Sequence, residues 1–286
     1  MDLTIGPKTK LYGIFGNPVE HSLSPYLHNW AFKHFRMDCV YMAFQIEPVS
    51  LALAFEGIRS LGIRGINVTI PFKEAAIDLV DEVPEDLDRL TGAINTVVHK
   101  DGKLLGYNTD GPGLIQALKE DLSFVPGGKD VLIIGAGGAA RGAVFALANA
   151  GVDRLFIYNR SRERARGLAE HASGLFSETE IQYLDLISDL PDRKIDLVVN
   201  ATSCGMRGNR DLPVDWGLLR APKAAYDLVY APAETPWLKE AKKIGIRCAG
   251  GLGMLAAQAA LSFERWTGKK EGVHARMREA LEACKL

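Results

Sequence analysis

Between Gly65 and Lys73 the chain reads Gly-Ile-Asn-Val-Thr-Ile-Pro-Phe-Lys, and three polar side chains interrupt an otherwise apolar, β-branched run. In an extended strand alternate side chains share a face, so Asn67 and Thr69 point the same way. Pro71 has no N–H to give to a ladder and turns the chain just before Lys73. Two hydrogen-bonding groups and one cation, presented together at a strand's end, suit an oxygen-rich small molecule. An edge strand with incidental polar residues would read the same way, and this segment alone does not choose between them.

A second stretch is more specific. Val131-Leu-Ile-Ile-Gly135-Ala136-Gly137-Gly138-Ala139-Ala140 is a buried strand running into a glycine turn and a small-residue helix, the pattern G-x-G-x-x-A of a dinucleotide site. Gly135 allows the tight turn, Gly137 lets the backbone approach a pyrophosphate, and Ala140 lets the helix pack closely. The free N–H groups at that helix start complement phosphate charge. At the end of the next strand an NAD site wants a carboxylate, but this chain has Asn159-Arg160-Ser161 with Arg164 one turn on. A guanidinium binds a 2′-phosphate that a carboxylate would repel, so the cofactor expected is NADP(H). Arg162 and Arg166 read instead as a solvated helix face.

The elements that must position these groups follow from periodicity and turn chemistry. Strands are expected at Leu11–Phe15, Val40–Gln45 and Gly65–Ile70, and helices from Ser24-Pro25 to about Phe35 and over Val49–Leu61. Ser24 could cap the first helix or donate to a ligand. Asp101-Gly102 predicts a hairpin between Asn95–His99 and Lys103–Tyr107. Asp110-Gly-Pro-Gly113 reads as a break in the chain, and Gly250-Gly-Leu-Gly253 as another. Between them, Val131–Ile134, Leu155–Tyr158, Ile195–Asn200 and Ala224–Val229 are compact apolar strands of a parallel, doubly covered sheet. The last thirty-odd residues are expected to be helical, with Gln258 on the stripe of Met254 and Leu261, facing either a backbone carbonyl or a ligand.

At 286 residues the chain has room for two domains with ample core, and a net charge of −1 gives no reason to expect nucleic acid or an anionic membrane. No apolar run suffices to span a bilayer, and the N-terminal MDLTIGPKTK has no signal-like apolar core. Four scattered cysteines without C-x-x-C spacing fit reduced thiols in the cytoplasm. The six histidines show no ligand spacing, so no metal is expected.

Further segments stand in a recognisable order around these. They are Gly16-Asn-Pro-Val-Glu-His-Ser22-Leu-Ser24-Pro-Tyr-Leu-His-Asn29, Gly92-Ala-Ile-Asn95-Thr and Gly106-Tyr-Asn-Thr-Asp110-Gly. After the arginines come Asn200-Ala-Thr202-Ser203-Cys-Gly-Met, Asp227-Leu228-Val-Tyr230-x-Pro-x-x-Thr235-Pro and Gly251-Leu-Gly-Met254-Leu-x-x-Gln258. With them the chain resembles the shikimate dehydrogenase family along essentially its full length. The resemblance implies an α/β protein of two domains. An N-terminal α/β substrate domain (1–112) is completed by the C-terminal helices (252–286), and a Rossmann-type doubly wound NADP-binding domain (113–251) is inserted between.

The implied activity is an oxidoreductase acting on CH–OH with NADP as acceptor. It reversibly reduces 3-dehydroshikimate to shikimate, on the way to chorismate and the aromatic amino acids. Lys73 and Asp110 are then the catalytic pair. Ser22 and Ser24 hold the substrate carboxylate, and Asn67, Thr69, Lys73, Asn95, Asp110, Tyr230 and Gln258 line the substrate site. Gly135, Ala136, Gly137, Gly138 and Ala139 hold the pyrophosphate, while Asn159, Arg160, Ser161 and Arg164 clasp the 2′-phosphate. Thr202, Ser203, Leu228, Gly251 and Met254 lie along the cofactor. The expectation for Lys73 is that it stays mostly protonated and stabilises the developing alkoxide. A quinate or dual quinate/shikimate dehydrogenase is the nearest alternative. A non-catalytic nucleotide-binding regulator on the same scaffold should have lost the lysine or its aspartate, and both are present. The expected partners are small molecules alone, in a monomer or homodimer.

Overall fold

The computed structural model describes residues 5–191, 194–206, 209, 213–219 and 222–284. Residues 1–4 of the N-terminal stretch read above lie outside them. The chain divides into two compact units whose boundaries fall at Thr109/Asp110 and Leu255/Ala256.

The first unit contains β1 (Lys10–Gly16), α1 (Ser24–His34), β2 (Cys39–Gln45), α2 (Leu51–Ser60), β3 (Gly65–Val68), α3 (Asp86–Thr91), β4 (Thr96–Lys100) and β5 (Lys103–Tyr107). Its sheet has the order β2-β1-β3-β4-β5, with β1 parallel to both neighbours and β4 antiparallel to both of its own, β3 and β5. The hairpin expected at Asp101-Gly102 is present. Both residues have positive φ (51° and 79°), the mirror-image turn whose twist suits two joined strands. Phe15, Phe55, Ile58, Ile66, Val68, Phe72, Val97 and Leu104 belong to one buried cluster of this unit. Gly65 admits the Trp266 indole, since a Cβ there would come within 2.2 Å of Trp266 Nε1. That nitrogen donates to Val97 O at 2.9 Å, so the glycine lets an aromatic ring lie against the strand.

The second unit runs through α4 (Asp110–Leu122), β6 (Asp130–Ile134), α5 (Gly138–Asn149), β7 (Arg154–Tyr158), α6 (Arg162–Ser173), β8 (Glu180–Leu184), β9 (Leu197–Asn200), β10 (Ala224–Asp227), α7 (Pro236–Lys243) and β11 (Arg247–Ala249). All six strands are parallel, in the order β11-β10-β9-β6-β7-β8. The chain moves outward from β6 through β7 to β8, then returns to β9 on the other side of β6. This reversal is the topological switch point of a doubly wound Rossmann-type sheet. Then follow α8 (Leu252–Thr267), whose residues from Ala256 onward belong to the first unit, and α9 (Val273–Ala283).

Three local expectations are corrected, and two strands are added. Asp110-Gly-Pro-Gly113, where the first unit gives way to the second, is the first turn of α4 rather than a loop before it. A proline is tolerated there because first-turn N–H groups have no helical acceptor. Gly111 is needed because a Cβ would meet Ala146 Cβ at 2.9 Å and Gly142 O at 3.0 Å. The N-cap of α1 is Leu23, not Ser24, which is already helical; Ser22 Oγ accepts from Ser24 N at 3.2 Å. β3 ends at Val68, short of Ile70. β8 and β11 were not anticipated because both are edge strands, largely exposed or half-buried, and lack the continuous apolar run of the central strands.

Candidate functional site

In the first unit, β3 places Asn67 in a buried polar cluster with Asn95, Thr96, Thr109 and Ser262. Asn67 Oδ1 accepts from Tyr41 Oη at 2.8 Å. Its Nδ2 donates to Asn95 O at 3.1 Å, Thr96 Oγ1 at 3.1 Å and Ser262 Oγ at 3.0 Å. Both amide hydrogens are therefore used within the protein. Asn95 Oδ1 accepts from Thr109 N at 2.8 Å and Thr96 Oγ1 at 3.1 Å, and its Nδ2 donates to Thr109 Oγ1 at 2.9 Å. At 3.4 Å that Nδ2 also reaches Gln258 Oε1. The hydroxyls of Thr96, Thr109 and Ser262 lie 2.8–3.3 Å apart, and either oxygen of each pair can be the donor. One turn along α8, Ser262 Oγ donates to Gln258 O at 3.0 Å.

Beside this cluster, fully buried His28 stacks on Tyr41 with ring centroids 4.5 Å apart. Among the described residues neither ring nitrogen has a hydrogen-bond partner. Burial pushes its pKa down to about 3, with Asn67 acting more weakly in the other direction, so the ring is neutral. Asn29 ties α1 to β2 by pairing with the Tyr41 backbone: its Nδ2 donates to Tyr41 O at 2.8 Å, and its Oδ1 accepts from Tyr41 N at 2.9 Å.

Ser22 and Ser24 lie together at the start of α1, half-buried and buried. Because Ser22 Oγ accepts from Ser24 N, its own proton is left to donate elsewhere. Thr69 lies just past β3; its N donates to Phe15 O at 2.9 Å, and its methyl packs over Gly16, where a Cβ would come within 2.4 Å. Lys73 follows the Pro71 turn and is half-buried, with Phe72 N bonded to Thr69 O and Ile94 N to Lys73 O, both at 2.9 Å. Thus Asn67, Asn95 and Gln258 are joined in the first unit, which also carries Ser22, Ser24, Thr69 and Lys73. Asp110, buried in the first turn of α4, and half-buried Tyr230 belong to the second unit.

In the second unit the turn after β6 fits a pyrophosphate. Gly135 has φ of +123°, and a Cβ there would meet Ala201 O at 2.9 Å. Gly137, the N-cap of α5, would place its Cβ in open space, so the backbone there is uncovered. Ala136 and Ala140 are buried, while Gly138 and Ala139 are half-buried at the helix start. After β7, Asn159 Nδ2 donates to Ser161 O at 2.9 Å, and Ser161, the N-cap of α6, donates from Oγ to Glu163 Oε2 at 3.1 Å. Arg160 and Arg164 are exposed, as a clasp for a charged phosphate requires. Arg166 pairs with Glu170 at 2.7 Å, and Arg162 lies 3.9 Å from Asp185, in keeping with a surface role for both.

The loops after β9 and β10 carry Thr202, Ser203, Leu228 and Tyr230. Gly251 N donates to Val229 O at 3.1 Å, and a Cβ on Gly251 would fall 2.3 Å from Leu228 O. Met254 N donates to Tyr226 Oη at 3.2 Å, whose proton goes to Asp121 Oδ2 at 3.3 Å. Buried beneath these loops, Asn200, Asp227 and Thr235 form a second hydrogen-bonded group. Among the described residues there is no cluster of metal-ligating side chains, and no helix is long and apolar enough to cross a membrane. Sequence reasoning missed Tyr41, Thr96, Thr109 and Ser262 as supports. The available signal was a hydroxyl next to each of Asn95 and Asp110, and one turn after Gln258.

A glycine turn at a switch point, an arginine pair after the next strand and a separate α/β unit with buried amides define a two-domain dinucleotide-binding protein. Three family profiles match in sequence: the shikimate dehydrogenase substrate binding domain over residues 14–97, shikimate / quinate 5-dehydrogenase over 119–206, and the shikimate 5′-dehydrogenase C-terminal domain over 251–282. A shikimate dehydrogenase (NADP(+)) of Geobacter metallireducens is 44% identical over 288 residues, covering 100% of both chains. A crystal structure of shikimate dehydrogenase in complex with NADP+ matches with a TM-score of 0.88 at 40% identity, over 98% of this chain and 97% of that one. The Thermus thermophilus shikimate 5-dehydrogenase in complex with NADP(H) and shikimate gives 0.85 at 35% identity, over 96% and 99%. The chain belongs to the shikimate dehydrogenase family.

Proposed function

We propose that this protein catalyses the reversible NADPH-dependent reduction of 3-dehydroshikimate to shikimate. The observation that carries the reading is the full-length match to a curated NADP(+)-dependent shikimate dehydrogenase, with Lys73, Asp110, Arg160 and Arg164 all present in this chain. NADPH, when bound, supplies the hydride. Arg160 and Arg164 hold its 2′-phosphate, and the turn from Gly135 to Ala139 holds its pyrophosphate. Thr202, Ser203, Leu228, Gly251 and Met254 lie along its length. Ser22 and Ser24 donate to the substrate carboxylate, while Thr69, Asn95, Tyr230 and Gln258 orient its ring. Asn67, with both amide hydrogens engaged by protein, acts chiefly by fixing Asn95.

As the carbonyl carbon accepts the hydride, the electron pair of the C=O π bond moves to oxygen. The Lys73 ammonium stabilises that charge and gives up a proton to it, and the Asp110 carboxylate orients the cation. The protein acts in the cytoplasm on small molecules, as a monomer or homodimer.

Initial rates with shikimate or quinate against NADP+ or NAD+ test the reading, with shikimate and NADP+ expected to give the highest kcat/KM. Comparable turnover of quinate would favour dual specificity, to which the shikimate / quinate profile over residues 119–206 lends support. Lys73→Met should lower kcat by about a thousandfold or more while changing KM little. Small shifts in both constants would remove Lys73 from the chemistry.

A further inference from the structure

In a doubly wound sheet, a dinucleotide lies across the carboxyl ends of the strands at the switch point. Here the pyrophosphate turn follows β6 and the arginine pair follows β7. The remaining half of the molecule must therefore extend over the carboxyl ends of β9 and β10, on the other side of β6. Those strands end in Asn200 and Asp227, which face each other in register, and both are fully buried.

Asp227 accepts from three neutral donors. Asn200 Nδ2 reaches its Oδ1 at 2.8 Å and Val229 N reaches the same oxygen at 3.0 Å; Thr235 Oγ1 donates to Oδ2 at 2.7 Å. A carboxylate can only accept, so it dictates the direction of every bond leading to it. Asn200 must turn its NH2 inward, which aims its Oδ1 at the following loop, where Thr202 N and Oγ1 donate to it at 3.0 and 2.7 Å. Thr202 Oγ1 then accepts from Cys204 N at 3.1 Å. On the other side, Thr235 spends its proton on Asp227 and accepts from Leu238 N at 3.3 Å, capping α7. The two loops also touch directly, since a Cβ on Gly205 would lie 3.1 Å from Thr235 Cβ. Burying a carboxylate among neutral donors carries a desolvation penalty that a well-packed apolar residue would not. Burial pushes the Asp227 pKa up to about 6, with Thr235, Val229 and Asn200 partly offsetting it. In return the polarity of both loops is fixed from one atom group.

We propose that Asp227 is a positioning residue that, through Asn200 and Thr235, locks the loops after β9 and β10 in the arrangement that receives the nicotinamide half of NADP(H). The inference rests on the dinucleotide reading of this unit. It is tested by titrating the full chain with NADPH and, separately, with 2′,5′-ADP, which carries the adenine and 2′-phosphate but no nicotinamide.

Asp227→Asn offers one acceptor where the carboxylate offers two. Thr235→Val keeps the side-chain shape but loses the hydroxyl. Each should weaken NADPH binding about tenfold while leaving 2′,5′-ADP within about twofold of wild type, and Thr235→Ser should restore NADPH affinity. Unchanged NADPH affinity in both variants, or an equal loss for NADPH and the fragment, overturns the proposal. Failure of the unsubstituted chain to bind either probe would instead overturn the dinucleotide reading, and this proposal with it.

Discussion

The buried polar groups around Asn67 are all neutral, whereas those around Asn200 converge on a carboxylate. The contrast has mechanical content. Around Asn67 the three hydroxyls of Thr96, Thr109 and Ser262 can exchange donor and acceptor roles without moving an atom other than hydrogen. Around Asp227 no such exchange is open, because an acceptor-only hub holds each donor in one sense. A ketone accepts a hydrogen bond, and the alcohol made from it also donates one. On the proposed reading of this cluster as backing the substrate site, reversible hydroxyls can match either form. The cofactor keeps its hydrogen-bonding outline at most positions when a hydride leaves, so the loops proposed to receive it are better served by a fixed frame.

Asn67→Leu should disturb the neutral network most. It removes one hydrogen-bond partner each from the Tyr41 hydroxyl, the Asn95 carbonyl and the Thr96 and Ser262 hydroxyls in a buried site, and should cost about 4 kcal/mol in urea denaturation. Near-wild-type stability would mean that the network carries little.

Next in size is the response to pH, where two buried groups work in opposite senses. His28 has a folded pKa of about 3 against 6.5 unfolded, so its contribution is complete above the unfolded value and is lost as pH falls toward 3. Asp227 has a folded pKa of about 6 against 3.8, so the folded state takes the proton first; that contribution is complete below 3.8 and is lost as pH rises through 6. Over the two pH units from 4 to 6, each changes the stability by about 2–3 kcal/mol. Denaturation between pH 4 and 6 should therefore show Asp227→Asn gaining stability with pH more steeply than wild type, and His28→Leu less steeply. Asp88, which burial also pushes up to about 6, has the sign of Asp227, so each variant must be compared with wild type at every pH. Parallel curves would refute the assignment. The smallest effect is expected for Ser262→Ala, about 1 kcal/mol, because Thr96 and Thr109 can still pair with each other. A loss as large as that of Asn67→Leu would show the hydroxyl triad to be as rigid as the carboxylate hub.

What the sequence disclosed followed the range of the interactions involved. The Asp101-Gly102 hairpin, the Gly135–Ala140 turn and the surface role of Arg166 each depend on residues a few positions apart, and all three were legible. The edge strands β8 and β11 were not, because an edge needs no continuous apolar run. Asp110-Gly-Pro-Gly113 looked like a break because glycine and proline punctuate chains; here proline sits where a helix tolerates it, and Gly111 is set by the nearness of Ala146. Asn67 could be singled out as polar and extended, but nothing local told that its amide hydrogens would be taken by β4 and α8. That depends on side chains meeting across the fold.

The bond from Asn67 to Ser262 joins residues 195 positions apart. During synthesis the stretch from Asp110 to Leu255 is complete and continuous before Ser262 exists, so the nucleotide unit can close its core first. The amide of Asn67 has to wait for nearly the whole chain to emerge. Until then Asn67 lacks its last acceptor, and a polypeptide released short of α8 would carry an assembled nucleotide-unit sheet together with an incomplete polar cluster in the first unit.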